Sequence, residues 1–513
     1  MRTAFLGLCM AAIMLTGCMG THGNSSDSTA DMPPAAPREF RGVWVATVGN
    51  IDWPDKPGEA TEQQQREAIA ILDKCAELNI NAVILQVRPA ADALYASKIE
   101  PWSYYLTGEQ GKAPEPFYDP LAFWVSEAHK RGIELHAWFN PFRARAGSAK
   151  YKASSTHVSE ANPKIVREFN GWQWMDPAEQ AAQDQTFRVF MDVAKRYDVD
   201  GLHIDDYFYP YPEYLKNEPF PDNDSWQRYQ AAGGKMNRDD WRRENINKLI
   251  HRVYDGLKRE KKQVKFGISP FGIGHNRPAV VKGFDQYEKL FADAELWLKE
   301  GWSDYFTPQI YWKTTATSQP FEPLVNFWVE SNPLHRNIWP GLATYKATEE
   351  EATTQPASAS TSRRSRRATS WDVEEIIQEV NISRDTPGAS GAVHFSMKSL
   401  MNEEKGVGKA LRNGPYKDPA LVPASPWLDG NAPAAPTVKA HVSGDGLHAE
   451  WTPGWFDKPW QWAVWVKQDG QWKFNVLQGD ARSADFAGAS AVCVSAVDRC
   501  GNESKRVKVE ISK

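Results

Sequence analysis

The sequence lacks the features that identify several large classes of protein. Lys and Arg total 60 against 65 Asp and Glu in 513 residues, a formal net charge of −5. It therefore has no basic excess of the kind that marks nucleic-acid binding. Hydrophobic residues make up 41% and charged residues 24%, which excludes disorder of the whole chain. No cysteine–histidine spacing suggests zinc, and no Gly-rich phosphate fingerprint follows an early strand.

The first residues have the pattern of an export signal. Arg2 precedes an apolar stretch over residues 4–15, which is too short to span a bilayer, and no later segment is typical of a membrane span. The stretch ends in LTGC, which resembles the lipobox of bacterial lipoproteins, so Cys18 is expected to carry lipid. Met19 favours an outer membrane, with the protein facing the periplasm. Residues 1–17 are predicted to be a signal peptide and 18–38 a flexible tether; the alternative is a plain secretory signal with an incidental cysteine.

The other cysteines give no sign of a catalytic thiol. Cys75 lies on the apolar face of a predicted helix and is expected to be a buried small hydrophobe. Cys493 and Cys500 are seven residues apart near the end of an exported chain, where a disulfide is plausible. The sequence leaves open whether the two are bonded.

Short β-rich runs alternate eight times with amphipathic helical stretches. The predicted strands are Gly42–Val48, Asn81–Val87, Glu134–Phe139, Val199–Asp205, Val264–Ser269, Tyr305–Tyr311, Asn337–Leu342 and Gly391–Ser396. The predicted helices are Thr61–Leu78, Pro120–Lys130, Asp184–Arg196, Asp239–Lys258, Phe284–Lys299, Glu322–Ser331, Trp371–Ile382 and Glu403–Asn413. Eight such units predict an α/β fold, a (β/α)8 TIM barrel with long βα loops over residues 39–420. A doubly wound open sheet is the alternative, which the missing phosphate fingerprint weakens.

Two segments depart from this alternation. Residues 348–370 form a low-complexity insert with four arginines between Arg363 and Arg367. This insert is either a basic contact to an anionic wall polymer or lipid, or a solvated loop. Residues 425–513 are predicted to form a small all-β sandwich that resembles fibronectin type III. The tryptophans that would either bind sugar there or fill the core of a spacer are Trp455, Trp460, Trp462 and Trp465.

The ends of the predicted strands carry an unusual set of side chains. Reactive groups of a (β/α)8 barrel lie where each strand enters its βα loop. Here these positions hold polar donors, a carboxylate pair and many of the aromatic rings that make up 12% of the chain. Because flat rings stack on the apolar faces of sugars, the set indicates a sugar-handling site. The predicted substrate-binding residues are Asp52, Trp53, Arg88, Asn140, Arg143, His203, Tyr207, Tyr209, Gln309, Tyr311, Trp312 and His394.

Individual roles can be predicted for some of these residues. Arg88 and Arg143 would hold a carboxylate ionised or bind an N-acetyl or lactyl group. Asn140 and Gln309 would exchange hydrogen bonds with hydroxyls or an acetamide. The rings would form stacking subsites along a cleft or pack in the barrel rim. His394 is more typical of a packed inner residue than of a base.

The fourth strand carries the sharpest signal. Period-two alternation places His203 and Asp205 on one face of that strand, with Leu202 and Ile204 on the other. A carboxylate facing the barrel axis can stabilise or attack an oxocarbenium-like centre, as glycoside cleavage requires. Asp206 follows at once and is expected to point elsewhere. The alternative role for either aspartate is an ion pair with an arginine.

Seven strings carry a resemblance to a known family and follow its order from about residue 39 to 413. They are EFRGVWVATVGNIDWP, LQVRPAADALY, AWFNPFRA, GLHIDDYFYP, ISPFGI, FTPQIYW and HFSMKSL. This sequence resembles glycosyl-hydrolase-like family 10, whose members are (β/α)8 proteins and often envelope lipoproteins. The resemblance implies a glycoside hydrolase of β-1,4-linked, N-acetylated wall glycan, because one member type cleaves peptidoglycan strands that lack stem peptides. The resemblance is a better guide to the fold of this protein than to its substrate, because proteins of one fold or family can act on different substrates.

One departure from better-understood barrels concerns the general acid. DGLHIDDYFYP is similar to the DGxDxDxEYP signature of chitinase-like hydrolases, in which the final Glu is the acid. That position here is Tyr207, and His203 replaces the first inner Asp. Asp205 therefore aligns with a nucleophile or stabiliser, and this comparison does not identify the general acid. Asp206 is the favoured candidate, and Asp52, Glu115 and Tyr207 are the alternatives. The two aspartates are the predicted catalytic residues, and no metal or other cofactor is predicted.

Three functions remain in view from the sequence. The first is hydrolysis of β-1,4 bonds in peptidoglycan glycan strands, the predicted partner. The second is a non-catalytic glycan-binding envelope lipoprotein, and the third is hydrolysis of an exogenous polysaccharide. The sequence does not give the bond, the stereochemistry, endo or exo action, the need for peptide removal or the oligomeric state.

Overall fold

The structure is a computed structural model that describes residues 31–275, 277–348, 370–454 and 458–511. The predicted signal peptide, Cys18, most of the tether, residues 349–369 of the insert and Trp455 lie outside these ranges. The chain divides into two units, Met1–Pro34 and Ala35–Lys513. Everything below concerns the second unit.

Eight parallel strands form a closed barrel. They are β1 Phe40–Val45, β2 Ala82–Arg88, β3 Glu134–Phe139, β4 Gly201–Ile204, β5 Lys265–Ile268, β6 Tyr305–Phe306, β7 in two pieces, Asn337–Ile338 and Gly341–Leu342, and β8 Gly391–His394. The first piece of β7 pairs with β6 and the second with β8, while β8 also pairs with β1. Since the two ends of the sheet are parts of one strand, the sheet closes on itself. The predicted (β/α)8 barrel is confirmed, and the open sheet is excluded.

Helices follow the strands. The principal ones are α1 Thr61–Glu77, α2 Pro120–His129, α3 Gln180–Arg196, α4 Arg238–Glu260, α5 Ala294–Lys299, α6 Phe321–Glu330, α7 Val373–Asp385 and α8 Val407–Asn413. Shorter helical segments lie in the loops, at Val48–Asn50, Tyr104–Thr107, Val158–Ala161, Pro163–Ile165, Asn223–Ala231, Gln286–Lys289, Thr344–Ala347 and Met397–Met401. The predicted helix Phe284–Lys299 is therefore two short helices, and Asp285 and Asp293 each cap one of them.

Helix α2 shows how the sequence sets these boundaries. The Asp119 side chain accepts a hydrogen bond from the backbone N–H of Ala122, and Pro120 occupies the first turn, where its missing N–H costs nothing. The helix ends at His129, and Gly132 then adopts a positive φ of 66° that turns the chain into β3. Capping and turn residues thus fix both ends of the helix.

Alternation along the strands separates two apolar cores. Leu202 and Ile204 belong to the large cluster between strands and helices. The barrel interior holds a smaller cluster that includes Phe40, Trp44 and Trp138. The ring of Phe40 stacks on that of Trp339 with 3.6 Å between centroids. The interior is therefore filled by side chains, and open space remains only toward the strand ends.

The loop after β3 builds a small antiparallel sheet. Its strands are Arg143–Arg145, Val166–Phe169 and Trp172–Met175. The indole N–H of Trp174 donates to the carbonyl of Phe208 at 3.0 Å. This bond ties the loop to the segment that follows β4.

Seven strands in the C-terminal part of the described chain form two antiparallel sheets. They are β9 Thr437–Ser443, β10 Gly446–Thr452, β11 Gln461–Gln468, β12 Gln471–Gln478, β13 Ser483–Ala487, β14 Ala489–Val497 and β15 Val507–Glu510. The sheet orders are β9-β10-β13 and β12-β11-β14-β15. Trp462 and Trp465 are fully buried in this part, so neither ring is accessible to a sugar. The predicted small all-β sandwich is present.

The sequence leaves open whether Cys493 and Cys500 are bonded, and in the structure they are not. Cys493 and Cys500 are both buried free thiols, and burial raises the pKa of each to about 11. Cys493 packs beside Trp465 in the sandwich, whereas Cys500 follows the end of β14. Cys75 is buried in the barrel core, as its place on an apolar helix face indicates. Within the described ranges, the helices are all too short or too polar to cross a membrane.

Candidate active site

A cavity of about 200 Å³ opens at the carboxyl ends of the barrel strands. Its lining combines rings, two carboxyl groups, one guanidinium group and two side-chain amides. The lining residues are Trp44, Ala46, Val48, Ile51, Gln86, Trp138, Arg143, Asp205, Asp206, Tyr207, Ser269, Gln309, Tyr311 and Phe395. The cavity therefore occupies the position where (β/α)8 enzymes carry out their chemistry.

Asp205 follows directly after β4 and is buried. Its Oδ2 accepts hydrogen bonds from Trp138 Nε1 at 3.0 Å and Asn140 Nδ2 at 3.3 Å. Its Oδ1 has no hydrogen-bond partner among the residues that the structure describes. Burial raises the pKa of Asp205 to about 7; the Arg143 charge opposes this rise and the Asp206 charge adds to it. This carboxyl group therefore keeps its proton to an unusually high pH.

Asp206 lines the same cavity, contrary to the expectation that it would point elsewhere. Strand β4 ends at Ile204, so strict alternation no longer applies to the two aspartates. The Tyr211 hydroxyl donates to Oδ2 of Asp206. Burial raises the pKa of Asp206 to about 6, and hydrogen bonds from Tyr211 and Gln309 oppose the rise. Asp206 is thus the carboxyl group of the pair that ionises first as pH increases.

Arg143 provides the positive charge at the cavity. Its Nε donates to the carbonyl of Pro89 at 2.9 Å, and its guanidinium lies 4.9 Å from the ring centroid of Tyr207. Asn140 accepts the backbone N–H of Arg143 at 2.8 Å and also donates to Asp205. Asn140 therefore positions both Arg143 and the Asp205 carboxyl group without lining the cavity itself.

A chain of buried polar groups runs along the barrel axis beneath the cavity. Lys265 Nζ lies 2.9 and 3.1 Å from the Glu134 carboxylate, which contacts His136 Nε2 at 3.0 Å. The Tyr305 hydroxyl then links His136 Nδ1, at 2.7 Å, to His203 Nδ1, at 3.1 Å. Two glycines make room, because a Cβ on Gly267 would lie 1.8 Å from the Tyr305 ring and one on Gly201 would lie 2.5 Å from His136.

The direction of these hydrogen bonds follows from the groups at the two ends. The Glu134 carboxylate only accepts, so His136 Nε2 carries a proton. The Trp44 indole N–H only donates, and it lies 3.4 Å from His203 Nε2, so that nitrogen accepts. Burial lowers the pKa of His203 well below its ordinary value, which leaves a single ring proton, on Nδ1, that donates to Tyr305. The Tyr305 hydroxyl then donates to His136 Nδ1.

Ser269 is the last group of this series of hydrogen-bonded side chains, at the end nearest the cavity, and it lines the cavity. Its hydroxyl lies 3.0 Å from His203 Nε2 and 3.4 Å from the carbonyl oxygen of Ile204, and both are acceptors. The oxygen of Ser269 is then an acceptor toward the cavity. His203 thus faces the axis as predicted, where it orients Ser269 rather than touching the cavity.

Six of the predicted site residues line the cavity. They are Arg143, Asp205, Asp206, Tyr207, Gln309 and Tyr311. Asn140 and His203 contact these or neighbouring lining residues. The roles assigned to all of them remain predictions.

Three other predicted residues hold the structure together near the cavity. Arg88 is fully buried and pairs with Glu100 at 2.5 Å rather than with either aspartate. Asp52 accepts from Ala46 N, Ser396 Oγ and Lys398 N at 2.6–2.7 Å, which ties the loop after β1 to the loop after β8. The Trp53 ring packs edge-on against that of Trp124, and its Nε1 donates to a backbone carbonyl of α1.

The remaining predicted residues also lie away from the cavity. Tyr209 is buried against Phe220 and Phe291. His394 contacts Thr344 Oγ1 at 2.9 Å and Tyr416 Oη at 3.0 Å, and burial lowers its pKa to about 3. The Trp312 ring packs edge-on against Phe271.

Sequence reasoning missed several lining residues: Trp44, Gln86, Trp138, Ser269 and Phe395. Trp44 and Trp138 share strand alternation with the inward-facing residues of β1 and β3, so the period-two pattern could have identified them. Gln86 carries the same signal in β2. In the described part of the chain, no group of three or more His, Cys, Asp or Glu side chains could hold a metal ion.

Most glycoside hydrolases act through two carboxyl groups, and the mouth of this barrel holds two, Asp205 and Asp206, beside a cavity. The chain belongs to the family described as glycosyl hydrolase-like 10, which matches residues 39–359. The expectation of a glycoside hydrolase is thereby confirmed at the level of the family.

Two curated relatives are similar over most of their length. Glycosyl hydrolase YngK of Bacillus subtilis is 38% identical over 415 residues, 78% of this chain and 76% of that protein. Glycosyl hydrolase DigH of Escherichia coli K12 is 33% identical over 366 residues, 66% of this chain and 82% of that protein. Among solved structures, α-L-fucosidase isoenzyme 2 from Paenibacillus thiaminolyticus aligns with 10% identity and a TM-score of 0.44, over 73% of this chain and 49% of that chain.

Proposed function

We propose that this protein hydrolyses β-1,4 glycosidic bonds in peptidoglycan glycan strands that lack stem peptides. The observation that carries the proposal is the pair of buried carboxyl groups, Asp205 and Asp206, in a ring-lined cavity at the barrel mouth. The membership of a glycosyl hydrolase-like family supports the reaction class. The choice of wall glycan rests on the family resemblance and on the export signal read from residues 1–18.

In this mechanism Asp205 is the general acid and Asp206 the ionised partner, the reverse of the assignment suggested by sequence. Asp205 has the higher pKa, about 7, and an Oδ1 without a partner in the described structure, so it can present a proton to the leaving oxygen. Asp206, with a pKa of about 6, stabilises the positive charge that develops at the anomeric carbon. Tyr207 and Tyr311 supply flat surfaces for the sugar ring.

We also propose that Cys18 carries lipid and holds the enzyme at an outer membrane facing the periplasm. A lipid anchor followed by a polar tether would let the barrel reach glycan strands while remaining bound to the membrane. Labelling of the intact protein with a fatty acid, compared with a Cys18→Ala variant, tests this part separately.

The hydrolase proposal is tested with the soluble protein from residue 19 onward and its Asp205→Asn variant. Both are incubated with peptide-free glycan strands, intact peptidoglycan and chito-oligosaccharides, and the products are identified by mass spectrometry. We expect cleavage of peptide-free strands that falls by about 10² to 10⁴-fold in the variant, the range that a general acid contributes.

Asp92→Asn provides a matched control. Asp92 is also buried, burial raises its pKa to about 6, and it accepts from Gln110 Nε2 at 3.0 Å, outside the cavity. This variant should keep the activity of the parent protein. Retention of both parent and Asp205→Asn proteins on the strands without cleavage would contradict the proposal and favour a glycan-binding lipoprotein.

A further inference from the structure

Gln86 lines the cavity and has a buried donor without a partner among the residues that the structure describes. It is fully buried on β2, and its Oε1 accepts the backbone N–H groups of Thr47 at 3.0 Å and Val48 at 2.9 Å. Because backbone N–H groups only donate, these two bonds fix which end of the amide is oxygen. The remaining atom, Nε2, has no hydrogen-bond partner among the residues that the structure describes.

A buried amide N–H without a partner costs free energy, about 1–3 kcal/mol on general grounds. Gln86 lines the cavity that contains Asp205, so a bound ligand can supply the missing acceptor. The backbone bonds prevent the amide from rotating to satisfy itself. The Gln86 Nε2 group is therefore a donor of fixed direction, and an oxygen atom of a ligand would be its acceptor.

Apolar side chains next to the segment that holds Gln86 also line this cavity. Ala46, Val48 and Ile51 line the same cavity, and the 47–48 backbone is the segment that holds the Gln86 amide. An acetamido group carries a carbonyl oxygen with a methyl group on the same carbon. A hydroxyl group offers an oxygen but no methyl group to cover these apolar side chains.

We propose that Gln86 Nε2 donates to the carbonyl oxygen of the 2-acetamido group of a bound sugar, while the methyl group packs against Ala46 and Val48. Gln86 is then a specificity-determining residue that selects N-acetylated hexosaminides over glucans with a 2-hydroxyl. The inference rests on the proposed hydrolase function and adds the recognition of the substrate.

The test is Gln86→Glu, which has nearly the same shape. The two backbone N–H groups favour the ionised form of the new carboxyl group, and that form has no proton to donate. Affinity measured against pH in the Asp205→Asn background identifies the range in which this group is ionised. The parent enzyme and the variant are compared on chito-oligosaccharides and on β-1,4-glucan oligosaccharides of equal length. We expect the parent preference for the N-acetylated substrate, measured as a ratio of kcat/KM values, to fall about tenfold to a hundredfold in the variant.

Two additions keep the result interpretable. Thr47→Val is the matched control, because it removes the bond from Thr47 Oγ1 to the Gln86 carbonyl at 2.9 Å and leaves Nε2 untouched; its preference should equal that of the parent. Affinities of both oligosaccharides for the Asp205→Asn protein and for the Asp205→Asn/Gln86→Glu double variant, measured by calorimetry, report recognition without turnover. Folding of each variant is checked by thermal unfolding.

The outcomes separate the two proposals. If the parent cleaves N-acetylated strands but Gln86→Glu lowers kcat/KM for both substrates equally, the assignment of Gln86 is wrong and the hydrolase proposal stands. If the parent cleaves neither substrate but binds the N-acetylated one selectively through Gln86, the hydrolase proposal fails and the recognition site remains. Equal affinity of the Asp205→Asn protein for both oligosaccharides would overturn the inference by itself.

Discussion

Asp205 and Asp206 are adjacent in the chain, but their carboxyl groups are held by different kinds of partner. Asp205 accepts from an indole and an amide and lies beside the negative charge of its neighbour. Asp206 accepts from the Tyr211 hydroxyl, and this bond lowers the pKa of Asp206. The surroundings therefore separate the pKa values of two aspartates, as the two proposed roles require.

A bell-shaped dependence of kcat/KM on pH follows from this pair. In the proposed mechanism, activity requires Asp206 ionised, which needs a pH above about 6, and Asp205 protonated, which needs a pH below about 7. Tyr211→Phe removes a donor that stabilises the Asp206 carboxylate, so the pKa of Asp206 rises. We expect the acidic limb of the profile to move to higher pH and the rate at pH 6 to fall.

Tyr214→Phe is the control for this prediction. The Tyr214 hydroxyl lies 3.4 Å from that of Tyr207, and Tyr214 makes no bond to either aspartate in the hydrogen bonds found for the described chain. The acidic limb should stay in place in this variant. A Tyr211→Phe profile that loses amplitude without shifting would show that Tyr211 does not control the ionisation of Asp206.

At the level of strands and helices, local sequence determined most of the outcome. All eight predicted barrel strands are present, with ends that differ by a few residues, because hydrophobic alternation and turn residues are local signals. The long segment predicted as Phe284–Lys299 is divided by a turn between Leu290 and Asp293, where Asp293 offers a new cap. The apolar residues of this segment keep a helical spacing, so the sequence pattern does not show where the helix is interrupted.

The sequence predicts where the candidate site lies better than it predicts which side chains line it. Strand ends identify which loops form the mouth, and both aspartates were found in this way. The sequence does not show which way a side chain turns after its strand has ended. Trp53 follows β1 like the lining residue Ile51, yet it packs against α1 and Trp124 because an apolar space there is large enough for an indole.

The polar chain along the axis gives a prediction at this scale. Tyr305→Phe removes the hydroxyl that accepts from His203 Nδ1 and donates to His136 Nδ1, so two buried ring nitrogens lose their partner. On general grounds this costs about 2–4 kcal/mol of stability, and Ser269 loses its fixed orientation. We expect a lower thermal midpoint together with a lower kcat/KM.

Tyr416→Phe separates the two effects. It removes a hydroxyl from His394 Nε2, at 3.0 Å, on a histidine that does not line the cavity. It should lower the thermal midpoint but leave kcat/KM unchanged. If Tyr305→Phe likewise retains full activity, the chain contributes to packing alone.

At the scale of the whole second unit, the C-terminal sheets pack on the amino-terminal end of the barrel. Trp427 Nε1 donates to Asp304, and Gln461 Nε2 donates to the carbonyl of Gly132, both at 2.9 Å. Lys265, the lower end of the polar chain, donates to the carbonyl of Arg499 at 3.2 Å. The sandwich therefore covers the stability end of the barrel and leaves the mouth open.

Arg499 forms two ion pairs across this interface. Its guanidinium contacts Asp198 and lies 2.6 Å from Asp200, a buried carboxylate at the start of β4. Burial by itself would raise the pKa of Asp200, but Arg499 and His129 outweigh it and hold that pKa well below its ordinary value. A depressed carboxyl pKa stabilises the fold above the unfolded value of about 3.9, and this contribution is lost as pH falls below it.

Arg499→Met should therefore lower stability at pH 7 by about 2 kcal/mol, between the ranges for exposed and buried ion pairs, because Asp200 keeps its charge but loses its cation. The difference in thermal midpoint from the parent should shrink at pH 3, where unfolding lets Asp200 take up a proton. Arg482→Met is the control and should show no such pH dependence. Among the hydrogen bonds found for the described residues, the Arg482 guanidinium donates only to the carbonyls of Gly479 and Ala481, both within the sandwich. A stability difference for Arg499→Met that is the same at both pH values would mean that the arginine acts through packing on Trp460, whose ring centroid lies 5.4 Å away, rather than through the charge of Asp200.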